Sequence, residues 1–478
     1  MTTILRRLPP AEATGLRTGA RHRLAEVYRP ADLVILGLGV MIGAGIFSIA
    51  GRQAATTAGP GVIISFMIAG IACMLACLCY AELSSTIPAS GSAYTFTYVI
   101  FGEVWAWVIG WALLLEMLLA AAVVAHVWSM FATRALAVPV HENVGTALIL
   151  LLLTGVVALG ARIGLRALWI MVIAKLAAIL AVIVVGFMHF DPANLGDFVA
   201  DPQPSTSPPD TVIDVLLGQS HNFGYLGVFA AAPAIAFAYL GFDIVATTAE
   251  ETSNAPRAVP KGMIRSLGLA TVIYIAVAVV MVGMAPYTAI SPDAPLASAF
   301  TQVGQGWMVH VIDVGAILGL TTVILVLLVG QTRVLFSMAR DGLLPSGLAR
   351  ISRRFHSPAR TTVVLGVITT LVAVLVPVLT LEELVVMGTL FAFLFVAAGV
   401  VVLRRSRPDL PRGFSVPLTP AVPALSMLAT LWLMLNLKVL TWGWFALWMA
   451  FGLLVYLLYG RRHSLLAAAP PKGGRHRR

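Results

Sequence analysis

The sequence predicts an all-α integral membrane protein of twelve transmembrane helices, with helices 1 and 6 interrupted. Three observations predict it. Of the 478 residues, 59% are hydrophobic and only 11% charged, whereas soluble domains are about a quarter charged. Twelve apolar runs approach the roughly 20 residues that a helix needs to cross a bilayer. Two of those runs carry glycines in mid-run, "GVMIGAGIFSIAG" at 39–51 and "AFAYLGFD" at 236–243. A helix interior gains nothing locally from them, since each costs roughly 1 kcal/mol relative to alanine.

The runs, spans 1 to 12, cover about 33–52, 61–84, 98–128, 145–160, 165–188, 224–249, 264–285, 307–335, 361–379, 384–403, 421–438 and 442–460. Span 4 is short, and spans 3 and 8 are long enough to tilt or protrude. Residues 1–30 are polar and lack a cleavable signal-peptide pattern. They form a tail, as does the basic stretch 463–478, "PPKGGRHRR" included.

Loop charges fix the orientation. Connections after spans 2, 4, 6, 8 and 10 hold Arg162, Arg166, Arg257, Lys261, Arg265, Arg340, Arg350, Arg353, Arg354, Arg360, Arg404, Arg405, Arg407 and Arg412. The connection after span 5 holds Asp191, Asp197, Asp201, Asp210 and Asp214 without Lys or Arg; Asp293 follows span 7, and Glu382 and Glu383 follow span 9. The positive-inside rule then places both termini in the cytoplasm of a multi-pass plasma-membrane protein. The net charge of +10 is therefore a topology signal, with no nucleic-acid partner implied. Trp442 and Trp444 fall at an outer interface, and the Pro/Ser stretch 201–210 is an external loop.

Chemistry of other classes finds no constellation here. Cys73, Cys77 and Cys79 share one apolar run with no His or carboxylate beside them, so they read as small packing residues and no metal site is expected. The nine histidines are scattered. His126 and His310 lie near outer helix ends as structural side chains. An enzyme would need a convergent nucleophile, base or metal at one depth, and no cofactor is implied. A channel would favour an oligomeric pore and a filter loop, and twelve spans with two interruptions require neither.

Interrupted helices in corresponding positions of two halves point to a carrier site. Non-helical backbone at membrane depth survives only where it is buried in protein or lines a cavity. The start of a half-helix offers free N–H groups to a carboxylate, and the end of the other half offers carbonyls to an ammonium. An amino acid matches that pair. Gly43 and Gly45 are assigned to exposing amides, Gly37 and Gly39 to packing, and Gly51 to the helix end; close helix packing is the alternative use of such glycines.

Charges inside spans are functional candidates. Glu116 lies near the middle of span 3 and Lys175 near the middle of span 5. They could pair structurally. Alternatively, Lys175 exchanges a proton, and Glu116 receives a cationic substrate side chain. If Glu116 is paired within the bundle, a small apolar pocket remains, lined by residues such as Leu320. Thr321 and Thr322 place hydroxyls at mid-depth in span 8, where back-bonding to their own helix is the plain use. Asp243 and Glu82 are expected to meet loop arginines, and Glu250 and Glu251 to face Arg257 and Lys261.

"GVMIGAGIFSIAG", "AGPGVIISFMIAGIACMLACLCYAELSSTIPASGSAYTFTYVIFGEVWAWVIGWALLLE", "FAYLGFDIVATTAEETSNAPRAVPKGM", "RVLFSMARDGLLP" and "GTLFAFLFVAAGVVVLRRSRPDLPRGF" together resemble the amino acid–polyamine–organocation (APC) superfamily, in particular its cationic amino acid transporter branch. The likeness covers most of 30–460. It implies a LeuT-type fold: two inverted five-helix repeats in a transport core at 31–405, with peripheral spans 11 and 12 at 406–462. It implies amino acid transport by alternating access. The substrate carboxylate would meet the amides of Ile42, Gly43, Ala44 and Gly45, and the amino group the carbonyls and aromatic cover of Phe237, Ala238 and Leu240. The resemblance aligns Lys175, with Thr321 and Thr322, to the place where other carriers hold sodium. That substitution points to a proton as the coupling partner. The expected activity is proton-coupled uptake of a broad or small neutral set of amino acids, with cationic amino acid or polyamine exchange as the alternative; oligomeric state is not legible.

Overall fold

The computed structural model describes residues 6–9, 26–136, 141–196, 198–204, 210–218, 221–292, 294–352 and 357–468. Asp197, Asp293, Arg353 and Arg354, used above for topology, and residues 469–478 of the basic tail lie outside them.

The described chain is a helical bundle. Eight helical stretches among the described residues are long and apolar enough to cross a membrane, and three shorter apolar helices, Glu142–Ala158, Ala359–Leu375 and Ala421–Leu435, match spans 4, 9 and 11. The only strands among these residues are two-residue pieces, Gln203–Pro204 and His221–Asn222, paired antiparallel in the connection after span 5.

Span 1 begins at Pro30, with Asp32 in its first turn accepting the Arg29 amide at 2.8 Å. A proline at the first position and an acid in the first turn both suit a helix start. The helix stops at Met41, and helical backbone resumes as a π turn at Gly45–Ile49. It passes through Gly51 and ends at Gly59, whose φ of 60° favours glycine. Gly51 is thus not the helix end. A Cβ there would come within 2.0 Å of Pro295, so its role is close packing.

Span 3 is a single helix, Glu103–Leu136. Its expected first residues belong instead to a separate helix, Ala93–Ile100, because the chain turns at Gly102 with φ 104°. Span 7 starts earlier than expected, at Ala255; its polar first turns escape a hydropathy reading. Span 3 is buried along most of its length, while spans 5 and 12 show apolar faces to the surroundings. Span 8 (Trp307–Arg340) packs along span 3, span 7 lies against spans 1 and 2, and span 10 (Val378–Ser406) lies between spans 3 and 11. Span 12 (Val439–Val455) locks onto span 3 through tryptophans. Trp107 Nε1 donates to Gly452 O at 2.8 Å, and the Trp111 and Trp448 rings stack at 4.8 Å.

Span 6 comprises Gly224–Tyr239 and Phe242–Thr247. Between them Gly241 adopts φ 109°, a conformation side chains rarely tolerate. A Cβ there would also strike Val40 at 2.1 Å, and one on Gly45 would strike Ala238 at 2.2 Å. These two glycines let the interruptions of spans 1 and 6 press together.

Candidate functional site

The two interruptions meet in the interior and enclose a small cavity. Span 1 contributes Val40, Met41, Gly43, Ala44 and Gly45; span 6 contributes Phe237, Leu240, Gly241 and Ile244. Glu116, Ala120 and Val124 of span 3 and Val323 and Leu327 of span 8 complete the wall. The volume is about 20 Å³, room for roughly one water.

As the first residues of the resumed helix, Gly43, Ala44 and Gly45 carry the amides that lack an i−4 acceptor. Apart from Glu116, the side chains lining the cavity with them are apolar. Span 6 shows a more occupied pattern. Phe237 O accepts the Leu240 amide at 3.3 Å, and Ala238 O accepts from the Tyr274 hydroxyl at 2.8 Å. Tyr274, from span 7, also reaches Met41 O. One hydroxyl therefore ties the carbonyl ends of both interrupted helices. It carries a single proton for two acceptors, so the pair of carbonyls is only half satisfied by the protein.

Lys175 is fully buried and lies on the other side of the span 1 interruption. Its Nζ donates to Gly39 O at 2.8 Å, Ile42 O at 2.9 Å and Thr322 Oγ1 at 3.0 Å. Thr322 Oγ1 in turn reaches Gly39 O at 2.9 Å and Gly319 O at 2.6 Å. An ammonium has three donors and no acceptor, and here it finds three acceptors. Ile42 thus enters this site through its carbonyl and is not part of the cavity wall.

The remaining expected residues divide. Glu116 is in the cavity wall, does not pair with Lys175, and leaves Oε2 without a hydrogen bond. Leu320 is buried outside the cavity wall, and span 8 presents Val323 and Leu327 there instead. Thr321 is turned away from Lys175. Its hydroxyl accepts from Trp128 Nε1 at 2.9 Å and donates to Ile317 O at 2.7 Å. The helical period separates these neighbouring threonines by about 100°, so only one can face span 5.

Ion pairs lie toward both ends of span 8. At one end Arg333 of span 8 holds Glu251 at 2.7 and 3.1 Å and reaches the Tyr28 hydroxyl at 3.2 Å. Beside it, Arg340 holds Glu250 at 2.9 and 3.1 Å. This corrects the expected pairing of Glu250 and Glu251 with Arg257 and Lys261; the acids turn inward to span 8. Burial would push the Glu250 carboxyl up, but the bonded Arg340 guanidinium and Ser90 outweigh it and hold the group below its ordinary range. Burial pushes the neighbouring Asp341 up to about 6 against the pull of Arg340. Glu82 meets Arg404 at 2.6 Å and Arg412 at 3.4 Å, as the loop charges suggested. At the opposite end Arg134 of span 3 clasps the buried Asp313 of span 8, and the guanidinium lies 4.8 Å from the Phe131 ring centre. Sequence spacing gave no signal for Tyr274, for Asp313 or for the span 8 partners, because each acts across helices distant in the chain.

Two interrupted helices folded onto one interior cavity, with ion pairs at both ends, define a membrane carrier. Residues 31–459 match the amino acid permease family, and the chain belongs to that family, within the APC superfamily. It is an amino acid transporter of the membrane and not an enzyme. Its sequence is 40% identical to the methylthioribose transporter of Bacillus subtilis, over 98% of this chain and all of that one. It is 39% identical to the branched-chain amino acid permease BcaP of the same organism, over 91% of this chain and 93% of that one. The human cationic amino acid transporter 4 is 34% identical over 85% of this chain and 64% of its own length.

Proposed function

We propose that the protein is a twelve-span carrier of LeuT-type architecture that takes up neutral aliphatic amino acids with a proton, by alternating access. The observation that carries this reading is the cavity between the two interruptions, with free amides of Gly43, Ala44 and Gly45 on one wall and half-satisfied carbonyls of Met41 and Ala238 nearby. The amides receive the substrate carboxylate. The ammonium competes with the Tyr274 hydroxyl for the carbonyls. Val40, Val124, Ile244, Val323 and Leu327 offer an apolar surface to the side chain, which suits branched aliphatic substrates, the class named for one relative.

Lys175 is the coupling group in this reading. Protonated, it holds Gly39, Ile42 and Thr322 at once; deprotonated, it has one donor fewer and becomes an acceptor. Losing that bond loosens the span 1 interruption. The ion pairs at the two ends act as alternating closures. The loop charges support placing both termini in the cytoplasm of a plasma-membrane protein. Residues of two connections read as external meet in space: Asp210 and Glu383 both pair with Lys438, at the end of span 11, at 3.5 and 3.1 Å.

A second reading, a thioether sugar substrate, rests on the methylthioribose relative and on the free Glu116 oxygen, which could accept from a sugar hydroxyl. Competition for labelled leucine uptake in proteoliposomes decides. The first reading expects leucine, isoleucine and valine to compete strongly and glutamate not at all. No uptake of labelled leucine, with labelled methylthioribose taken up and no amino acid competing for it, would establish the second reading.

A further inference from the structure

Asp243, expected to meet a loop arginine, has no ion pair among the described residues; backbone amides at the span 6 interruption serve its carboxylate instead. Glu103, the first residue of the span 3 helix, is likewise buried without an ion pair among them, and the mechanism above leaves it unused. Its partners are hydroxyls from three separate segments. Tyr98 Oη of the helix Ala93–Ile100 donates to it at 3.2 Å, Tyr456 Oη beyond span 12 at 2.9 Å, and Ser464 Oγ of the C-terminal segment at 2.5 Å. A buried acid without such partners would be costly, so Glu103 is a ready anchor for whichever hydroxyls reach it.

The C-terminal segment reaches Glu103 because span 12 gives way to a π turn at Tyr456–Gly460. Ser464 is extended, with φ −54° and ψ 131°, and is buried. Around it Arg461, Arg462, His463 and Leu465 are exposed. The next amide, Leu465 N, donates to Asp341 O at 3.1 Å. Gly342 permits that approach: its φ is 81°, and a Cβ there would lie 2.5 Å from His463 O. Asp341 is thus held from two sides, its carbonyl by the segment and its carboxylate by Tyr94 Oη at 2.7 Å. It directly follows Arg340, the residue that holds Glu250. A cavity of about 380 Å³ remains between Arg340 on one side and Tyr459, His463 and Leu465 on the other. The segment is therefore not packed solidly against the end of span 8. Beyond the packing of Leu466, one hydroxyl and one amide bond it to the bundle. Contacts so few break and re-form while the core stays folded.

We infer that the C-terminal segment, 461–468, is an inhibitory latch. Docked on Glu103 and Asp341, it steadies Arg340 and slows opening of the end that Arg340 and Glu250 close. Released, it lets that end open faster. This inference rests on the reading of those ion pairs as a closure.

Cysteine labelling of the purified protein tests it, with Thr332→Cys as the reporter beside the cavity that Glu251 lines. Ser464→Ala deletes the hydroxyl. Leu465→Pro deletes the amide donor at a place that suits proline, since the preceding residue is already extended and a helix begins there. Each variant is expected to speed labelling of the reporter about threefold or more, the effect of losing one hydrogen bond. Truncation after Gly460 removes the whole segment and is held to the same outcome if a point variant fails to fold. Cys73, Cys77 and Cys79, all buried, should stay unlabelled throughout. If the reporter speeds up only together with those cysteines, the bundle has loosened generally and the latch is overturned. Arg340→Ala separates the latch from the closure. Faster labelling in Arg340→Ala, with wild-type labelling in the segment variants, overturns the latch and leaves the closure standing. Unchanged labelling in Arg340→Ala overturns the closure reading, and the latch with it.

Discussion

Two side chains show how single groups set the behaviour of this carrier. Lys175 satisfies three acceptors around the span 1 interruption, so Lys175→Ala deletes both the hold and the exchangeable proton. The variant is expected to equilibrate substrate across proteoliposome membranes without concentrating it, and its rate should not respond to a pH gradient. A pH response equal to wild type would remove Lys175 from coupling. Asp341 accepts a hydrogen bond from Tyr94 at 2.7 Å and has its carboxyl pushed up to about 6 from an ordinary value of 3.8. Its folded-state value lies above the unfolded one, so the folded protein binds more protons between those limits. The stabilising effect is present below pH 3.8 and is lost as pH rises through 6. Asp341→Asn should therefore flatten the fall in thermal midpoint between pH 4 and 6. An unchanged slope would place that dependence on another group.

In the proposed mechanism the interrupted helices are the elements on which function turns. A methyl on Gly45 would meet the Cα of Ala238 at 2.4 Å, a backbone atom that no rotamer change can move. Gly45→Ala is thus expected to reach the membrane as monodisperse protein and lose about tenfold or more in uptake, or roughly 1.4 kcal/mol. Wild-type uptake would show that spans 1 and 6 need not approach so closely. Span 8 carries one partner of each terminal ion pair, Asp313 and Arg333. They stand 20 residues apart on one unbroken helix, about 30 Å at 1.5 Å per residue. Removing one partner of a buried pair costs about 3–5 kcal/mol. Arg333→Ala should open the end that Glu251 closes. A cysteine placed at Thr332, beside the cavity of about 90 Å³ that Tyr28 and Glu251 line, would then label faster; unchanged labelling would deny Arg333 a closing role.

At the scale of the whole molecule, the sequence disclosed what lies along the chain and hid what lies across it. Apolar runs located the membrane-crossing helices because lipid demands length and hydrophobicity from each one separately. Mid-run glycines located both interruptions for a similar reason: Gly241 needs its positive φ, and Gly45 needs to be without a Cβ. The Lys175–Thr322 contact was reachable through resemblance, but only a helical register tells Thr322 from Thr321. Tyr274 was invisible, since nothing in "LATVIYIAV" marks a tyrosine that will join two carbonyls 36 and 233 residues away in sequence. The partners of Glu250 and Glu251 were misread because the nearest charges in sequence are not the nearest in the bundle. The central claim is that a proton gradient drives amino acid transport through the cavity between spans 1 and 6. Leucine uptake into wild-type proteoliposomes, under an imposed inward proton gradient without sodium, tests it most directly. The account predicts accumulation above the external concentration, abolished by a protonophore. Accumulation that instead requires a sodium gradient and ignores the proton gradient would contradict it.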